Sequence, residues 1–374
     1  MSHMCEVSAF NTMFETPGSL EGAESDVDLL NYLKSLTYTF ERDGDSIDCL
    51  LIYAEPGPQD PTQRVAVVAN DTGYEGIACV DDTARAVLLA LAIHDRTGSQ
   101  DALEWAKRWL SFVTYMQYAD GSFANFVRNP FGVRNATGPT SLKGGHAWTA
   151  RGLWALARMY RVTGDEQYRD QYQACTLVGI PDGKVRAMQI LAEVELLQAS
   201  PSDELRDKIL AHCNCILALG PGPYFHDQPN TLHLDLWGYH QLHAMARAAK
   251  LLDRSDLLRT CRETVEHLVK EDVEARFWVD YPERRKDGLC VYNVSPMVQG
   301  LDAMYRATGE ENYRVLALLG ADWLYGRNDA GEAMYDPATG MCRDGINGGR
   351  ASENFGAESA IEAGFIELVR LSLT

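Results

Sequence analysis

A two-helix pattern recurs along this chain: an apolar helix rich in small residues, a short turn often holding glycine, an acidic start, then an amphipathic helix. Such a repeat leaves few architectures open, because each unit buries its apolar face only by stacking against the next. Five copies are legible. Asp82 to Asp95 precedes Arg96-Thr97-Gly98 and a helix from Asp101 to Thr114. Ala147 to Val162 precedes Thr163-Gly164-Asp165-Glu166 and a helix running through Cys175. Lys184 to Ala199 pairs with Asp203 to Leu219, and Leu232 to Leu252 pairs with Asp256 to Lys270 across Asp253-Arg254-Ser255. Ser295 to Ala307 pairs with Glu310 to Tyr325 across Thr308-Gly309. Glycine at a helix end tolerates the left-handed conformation, and Asp, Ser or Glu at the next start suits the N-cap and the helix dipole. One helix remains at each end, Asp26 to Arg42 and Glu353 to Leu371, and these two pair as a sixth hairpin that closes a ring of twelve helices.

The two helices of a repeat differ in kind. Ala84 to Ile93 and Ala357 to Leu373 are apolar around most of their circumference, whereas Asp203 to Leu219 and Asp256 to Lys270 carry charge on one side. A helix apolar all round is buried and a one-sided helix lies outside. The first class therefore lines the ring, and its starts all fall on one face. The long connections collect there: Cys49 to Val80, Asp120 to Gly145, Gly220 to Thr231, Asp272 to Tyr292 and Asn328 to Ser352. Loops of this length in a compact domain are usually functional. The fold predicted is an all-α toroid of six helical hairpins, with short strands in the loops of one face, such as Ile47 to Ala54 and Arg276 to Tyr281. Residues 26–374 are expected to form one domain. Residues 1–25, opening on Met1-Ser2-His3-Met4, read as an expression remnant and a flexible N-terminus.

Charge and cysteine content exclude several functions. The chain holds 34 Lys and Arg against 53 Asp and Glu, a formal net charge of −19, and no basic run offsets it. A nucleic-acid groove needs clustered positive charge. Nucleic acid is therefore not an expected partner. The nine cysteines are odd in number and lie mostly in apolar helical stretches, which suits reduced thiols rather than a disulfide framework. No uncharged apolar run reaches about 18 residues and no signal pattern opens the chain, so the expectation is a cytoplasmic protein without a membrane partner.

The chemistry-bearing residues concentrate at inner-helix starts. Tyr74-Glu75-Gly76-Ile77-Ala78-Cys79-Val80-Asp81-Asp82-Thr83-Ala84-Arg85 places two adjacent carboxylates at the opening of the first inner helix. Asp81 on its own reads equally well as an N-cap, which leaves Asp82 unexplained. At the other end Asp344-Gly345-Ile346-Asn347 leads through Glu353-Asn354-Phe355-Gly356-Ala357-Glu358 into the last inner helix. If the ring closes, carboxylates from 81–82 and 353–358 become neighbours, and paired carboxylates flanking a sugar bond are what glycoside hydrolysis needs. Asp82 or Asp81 is then the candidate acid and Glu358 or Glu353 the opposing base; for Glu353 the bland alternative is a charge at the helix start. Asp120 and Asn125 in Asp-Gly-Ser-Phe-Ala-Asn-Phe, His146, Trp148 and Arg151 after Gly144-Gly145, and Trp237 and His240 are candidates to bind a sugar, with Tyr74, Glu75, Arg85, Asp344 and Asn354. Aromatic rings stack on sugar faces while Asn, Asp, His and Arg bond the hydroxyls. No metal and no cofactor is expected. His240 and His243 share a helical face but lack a third ligand nearby, and Cys213-Asn214-Cys215 points its thiols apart. No nucleophile elbow, phosphate loop or dinucleotide fingerprint is present.

Asp81-Asp82-Thr83-Ala84-Arg85, the 120–126 loop, the stretch Gly145-His146-Ala147-Trp148-Thr149-Ala150-Arg151 to Leu156, and the tail from Gly326-Arg327-Asn328 through Tyr335 to Gly340 and Gly356-Ala357-Glu358-Ser359 together resemble the six-hairpin glycosidase-like domain. The resemblance spans roughly residues 74–374, is strongest at both ends, and implies an (α/α)6 toroid with an oligosaccharide or glycoside substrate. That domain occurs alone or appended to bacterial glycosyltransferases, which implies a glycosyltransferase as a functional partner. It supplies no mechanism. A glycoside hydrolase is the expected function. Unsaturated uronide hydrolases share the toroid and use an Asp acid, with Arg85, Arg151 or His146 available for a uronate carboxylate. A non-catalytic glycan-binding module is a third reading. Val80-Asp81-Asp82-Thr83-Ala84 also resembles the protonating motif of class II terpene cyclases, but Cys79 stands where that motif has its first Asp.

Overall fold

The computed structural model describes residues 28–60, 64–67, 75–177 and 180–374. Tyr74 and residues 1–27, which include the whole expected N-terminal segment 1–25 and the expected helix start Asp26, lie outside them. The helices are α1 (Asn31–Ser35), α2 (Val80–Thr97), α3 (Gln100–Met116), α4 (His146–Thr163), α5 (Glu166–Gln173), α6 (Gly183–Ala199), α7 (Asp203–Leu217), α8 (Gln241–Leu252), α9 (Ser255–Thr264), α10 (Lys270–Glu274), α11 (Val291–Thr308), α12 (Glu311–Ala321) and α13 (Ala357–Leu373). A π-helical turn, Val265–Val269, joins α9 to α10. Helices α2, α4, α6, α8, α11 and α13 touch in that order, and α13 returns to α2. This is the inner ring of an (α/α)6 toroid. The outer helices α3, α5, α7, α9 and α12 each pack on the inner helix before them.

Local chemistry explains the tight turns of the closed face. Gly98 ends α2 at φ 71°, with its N–H on the His94 carbonyl, and Asp253 takes the same left-handed conformation at φ 55° after α8. Ser99, Asp165 and Ser202 then accept backbone N–H groups at the starts of α3, α5 and α7. The inner helices are buried nearly all round, whereas α9 buries only Leu257, Cys261 and Thr264. The ring seam is close-packed: a Cβ on Gly364 of α13 would sit 2.6 Å from a Leu89 methyl carbon on α2.

The sixth hairpin departs from expectation. Instead of a helix to Arg42, α1 ends at Ser35 and Thr37–Arg42 forms an antiparallel pair with Asp45–Leu50. Asp43 and Gly44 turn between them, both at positive φ (54° and 93°). The alternation Thr-Tyr-Thr-Phe followed by Asp-Gly is a hairpin signal that outweighs a helical pattern. The hairpin packs on α3, where Trp109 Nε1 donates to Thr37 Oγ1 at 2.9 Å, while α1 keeps its place against α13.

The open face carries the strands. Ala78–Cys79, Phe126–Val127 and Arg134–Asn135 form one small sheet, and Leu289–Cys290, Gly345–Asn347 and Arg350–Ala351 another. The strand expected over Arg276 to Tyr281 shrinks to Asp280–Tyr281, because Arg276 and Phe277 both adopt positive φ (68° and 71°). The partner of that short strand is Leu234–Asp235. The fourth inner helix accordingly starts at Gln241, not Leu232. Among the described residues no helix is long and apolar enough to cross a membrane.

Six helices around one axis leave a lumen, and polar side chains fill it. At the closed end Glu195 of α6, 0% exposed, receives Arg158 at 2.7 Å, Arg161 at 2.5 Å and Arg247 at 2.9 Å, and Asp95 of α2 joins Arg158 at 2.5 Å. Burial by itself would raise the Glu195 carboxyl, but Arg158, Arg247 and Arg161 outweigh it and hold it well below the usual range. A depressed native value means stability present above the unfolded carboxylate range and lost as pH falls toward the native one. Glu195→Gln should therefore cost about 3–5 kcal/mol near neutral pH, by leaving buried guanidiniums without their acid. Urea titrations should find that cost shrinking on acidification, and a variant as stable as the parent at neutral pH would refute the assignment.

Candidate active site

Helix α2 starts where the extended pair Ala78–Cys79 ends. Cys79 is the N-cap, its Sγ accepting the Asp82 N–H at 3.3 Å. Asn125, on the neighbouring loop, accepts the Asp81 N–H through Oδ1 at 3.1 Å, and its carbonyl accepts the Val80 N–H at 2.8 Å. First-turn amides are thus satisfied without Asp81, so Asp81 is not the N-cap and both carboxylates are free to turn toward the lumen. Asn125 is itself buried and donates to the Thr140 carbonyl at 3.0 Å.

Arg85, one turn further along α2 and 1% exposed, gathers the site. Its guanidinium pairs closely with Asp81, lies 3.2 Å from Asp82, and crosses the ring seam to Glu358 at 2.9 Å and Glu362 at 3.2 Å, both on α13. It also lies over the Tyr292 ring, 4.4 Å from the centroid. Arg151 of α4 donates to Asp81 at 3.2 Å and to the Tyr292 hydroxyl, which lies 3.1 Å from His240 Nε2. One oxygen each from Asp81, Asp82 and Glu358 lies within 4.8 Å of the other two. Those oxygens suit a cation, and the Arg85 guanidinium stands in that role. A second such group, His233, Asp280 and Glu283, is satisfied within the protein, since Arg285 pairs with Asp280 and His233 lies 3.0 Å from Glu283.

The acids differ in environment. Burial pushes Asp82 up to about 7; Arg85 opposes the rise, while Glu358 and Asp81 add to it. Burial would also raise Asp81, but Arg85 and Arg151 hold it below the usual range. Burial raises Glu362 as well. His240 is kept neutral by burial and by Arg151. The side chains of Glu358 and Asp81 are 25% and 16% exposed, so the cluster opens to solvent at its rim.

Tyr292 reaches this centre through a local rule. Helix α11 begins at Val291, ahead of the expected Ser295, and contains Pro296 in its second turn. Proline has no N–H for the carbonyl four residues earlier, which here is that of Tyr292. That carbonyl instead accepts the Gly238 N–H at 3.0 Å. Gly238, at φ 68°, sits so near the Tyr292 ring that a Cβ would lie 2.7 Å from it. The contact brings Trp237, 40% exposed, edge-on to Tyr292 with ring centroids 4.8 Å apart.

The remaining sequence candidates divide. Asp344 accepts from Gly356 N–H and Ser359 Oγ, both at 2.7 Å, and from Tyr53 OH at 2.7 Å, fixing the start of α13. Glu75 accepts the Thr140 N–H at 3.2 Å, Trp148 donates to the Phe123 carbonyl at 3.3 Å, and Asp120 pairs with Lys143 at 2.7 Å. Glu353, Asn354 and His146 are exposed on the loop face, and Glu353 is not among the acids on Arg85. Sequence reasoning missed Glu362 and Tyr292. The first was signalled by its i,i+4 spacing from Glu358 on an inner helix; the second by its position at an inner-helix start.

No family model matches the chain, and no curated protein matches it. Solved structures do. A sugar epimerase from a ruminal bacterium superposes with TM-score 0.66 at 12% identity, covering 91% of this chain and 95% of that one. Cellobiose 2-epimerase from Bacillus thermoamylovorans gives 0.60 at 13%, covering 78% and 88%. A family 76 glycoside hydrolase from a bovine Bacteroides thetaiotaomicron strain gives 0.59 at 14%, covering 93% and 77%. At these identities the likeness establishes the toroid, and one fold hosts many chemistries.

Arg85→Met should cost about 3–5 kcal/mol near pH 8, because four carboxyl groups lose their shared counter-charge. With that cation gone, Asp82 and Glu362, already raised by burial against its opposition, bind protons still more tightly in the native state than unfolded, so stability should fall as pH rises. Denaturant titrations should show the smaller loss at about pH 5 than at about pH 8; the reverse order would contradict this account.

Proposed function

We propose that this chain is an acid–base enzyme acting on saccharides, and that glycoside cleavage is its reaction. The observation carrying this reading is the unlike pair at the seam: Asp82, raised by burial to about 7, beside the part-exposed Glu358, with oxygens within 4.8 Å. A general acid works best when its pKa lies near the operating pH. Two carboxyl groups in unlike environments divide into an acid and its charged partner.

The separation bears on the route. It lies nearer the roughly 5–5.5 Å of double displacement than the roughly 6.5–9.5 Å that leaves room for a water. In this reading Asp82 gives its proton to the leaving oxygen while Glu358 attacks the anomeric carbon to form an ester. Asp82, now ionised, takes a proton from water, the resulting hydroxide attacks the same carbon, and Glu358 departs. Asp81 stays ionised between Arg85 and Arg151 and stabilises positive charge developing on the sugar ring.

A second reading is epimerisation or isomerisation. Its support is that the acids form one cluster on a single guanidinium, an arrangement suited to removing and returning a proton beside a sugar carbonyl. Three of the similar structures are sugar epimerases. Incubating aryl glycosides and reducing disaccharides with the protein in heavy water separates the two: cleavage gives new reducing ends, whereas epimerisation puts deuterium on carbon.

Turnover should decline above about pH 7 as Asp82 loses its proton. Asp82→Asn should lower it by about 10²–10⁴-fold and abolish that alkaline limb, with the melting temperature nearly unchanged. Near-parent turnover by Asp82→Asn on an active substrate would remove Asp82 from the chemistry.

A further inference from the structure

The charge arrangement of the same site selects among sugars, an inference that rests on the saccharide reading above. Its cations are already committed. Arg85 and Arg151, 1% and 3% exposed, are the guanidiniums of the cluster, and they face Asp81, Asp82, Glu358 and Glu362. Four acids against two guanidiniums give a net charge of −2 with every acid ionised, and zero when Asp82 and Glu362, the two that burial raises, both hold protons. The acids open to the rim are Glu358 and Asp81, at 25% and 16%, so an incoming ligand meets carboxylate oxygens first.

Three cations of the open face are paired too. Lys184, beside the Trp237 ring, pairs with Asp235 at 2.9 Å, and Lys143 pairs with Asp120 at 2.7 Å. Arg343, on the connection before α13, donates to the Ser352 carbonyl at 2.7 Å and lies over Phe355. A uronate or sugar phosphate would therefore bring its charge to acids with no uncommitted guanidinium in the cluster to receive it. Against carboxylates that are largely out of water that repulsion is strong. What the rim does present is an aromatic face: Trp237, 40% exposed and braced edge-on by Tyr292, the ring that Arg85 covers from the cluster side.

We propose that the site takes an uncharged pyranoside, stacked on Trp237 with its reacting carbon toward Asp82 and Glu358, and rejects uronides and sugar phosphates. The test uses matched ligands differing only at carbon six: methyl gluco-, galacto- and mannopyranosides against the corresponding methyl uronides, followed by saturation-transfer NMR titration. The neutral members should bind at least about tenfold more tightly. Glu358→Gln should narrow that gap by admitting the uronides, and Trp237→Ala should weaken the neutral sugars about tenfold at unchanged melting temperature. Equal or tighter binding of uronides overturns this inference and leaves the saccharide reading intact. Neutral binding unaffected by Trp237→Ala overturns the stacking. Failure of every sugar, of either charge, to bind overturns the saccharide reading itself.

Discussion

A guanidinium that leaves water must recover its lost hydration from fixed acids, and Arg85 recovers it from both ends of the chain. Two of its partners, Asp81 and Asp82, precede it on α2; the other two, Glu358 and Glu362, lie across the seam on α13. The ion cluster is thus the lock that joins the first complete inner helix to the last. Removing one partner of such a group leaves uncompensated charge in a low-dielectric lumen, which costs far more than an exposed pair contributes. The same contacts fix where Asp82 and Glu358 stand relative to each other, so ring closure and site assembly are one event.

The lumen has two charged ends with opposite characters. At the closed end Glu195 is outnumbered by Arg158, Arg161 and Arg247, and its carboxyl is driven down. At the open end acids outnumber guanidiniums, and burial drives Asp82 up. The first arrangement surrounds one buried acid with three guanidiniums, as suits a structural clamp. The second sets Asp82, raised by burial, beside Asp81, which Arg85 and Arg151 hold low, and the surrounding ring keeps the two environments apart. His240 and His243, both kept neutral by burial, lie between the two ends.

Much of the apparent motif content of the open face is support for this centre. Asn125 satisfies α2 amides so that Asp81 need not, and Asp344 pins the start of α13 through Gly356 and Ser359. Pro296 withholds one amide, and the Tyr292 carbonyl it leaves free holds the Gly238 strap that carries Trp237. These residues act by holding the backbone elements that carry the reacting groups, so they are positioning residues.

The alternation of all-round apolar helices with one-sided ones, with glycine and N-cap residues between, was enough to define the hairpins, the inner ring and the face where long loops gather. Burial periodicity and turn chemistry are local, so they are written in consecutive residues. The placement of Asp82 and Glu358 near one another followed from the single further assumption that the ring closes. Where local signals competed, the pattern misled: Thr37–Arg42 reads as a helix continuation until the Asp43-Gly44 turn and its partner strand are weighed. Only the tertiary structure decided that Cys79 rather than Asp81 caps α2, that Glu353 stays outside the cluster while Glu362 enters it, and that Arg85 is spent on its own acids. Each of those outcomes depends on which groups meet across hundreds of residues and how much water they lose there, and neither quantity has a local signature in the chain.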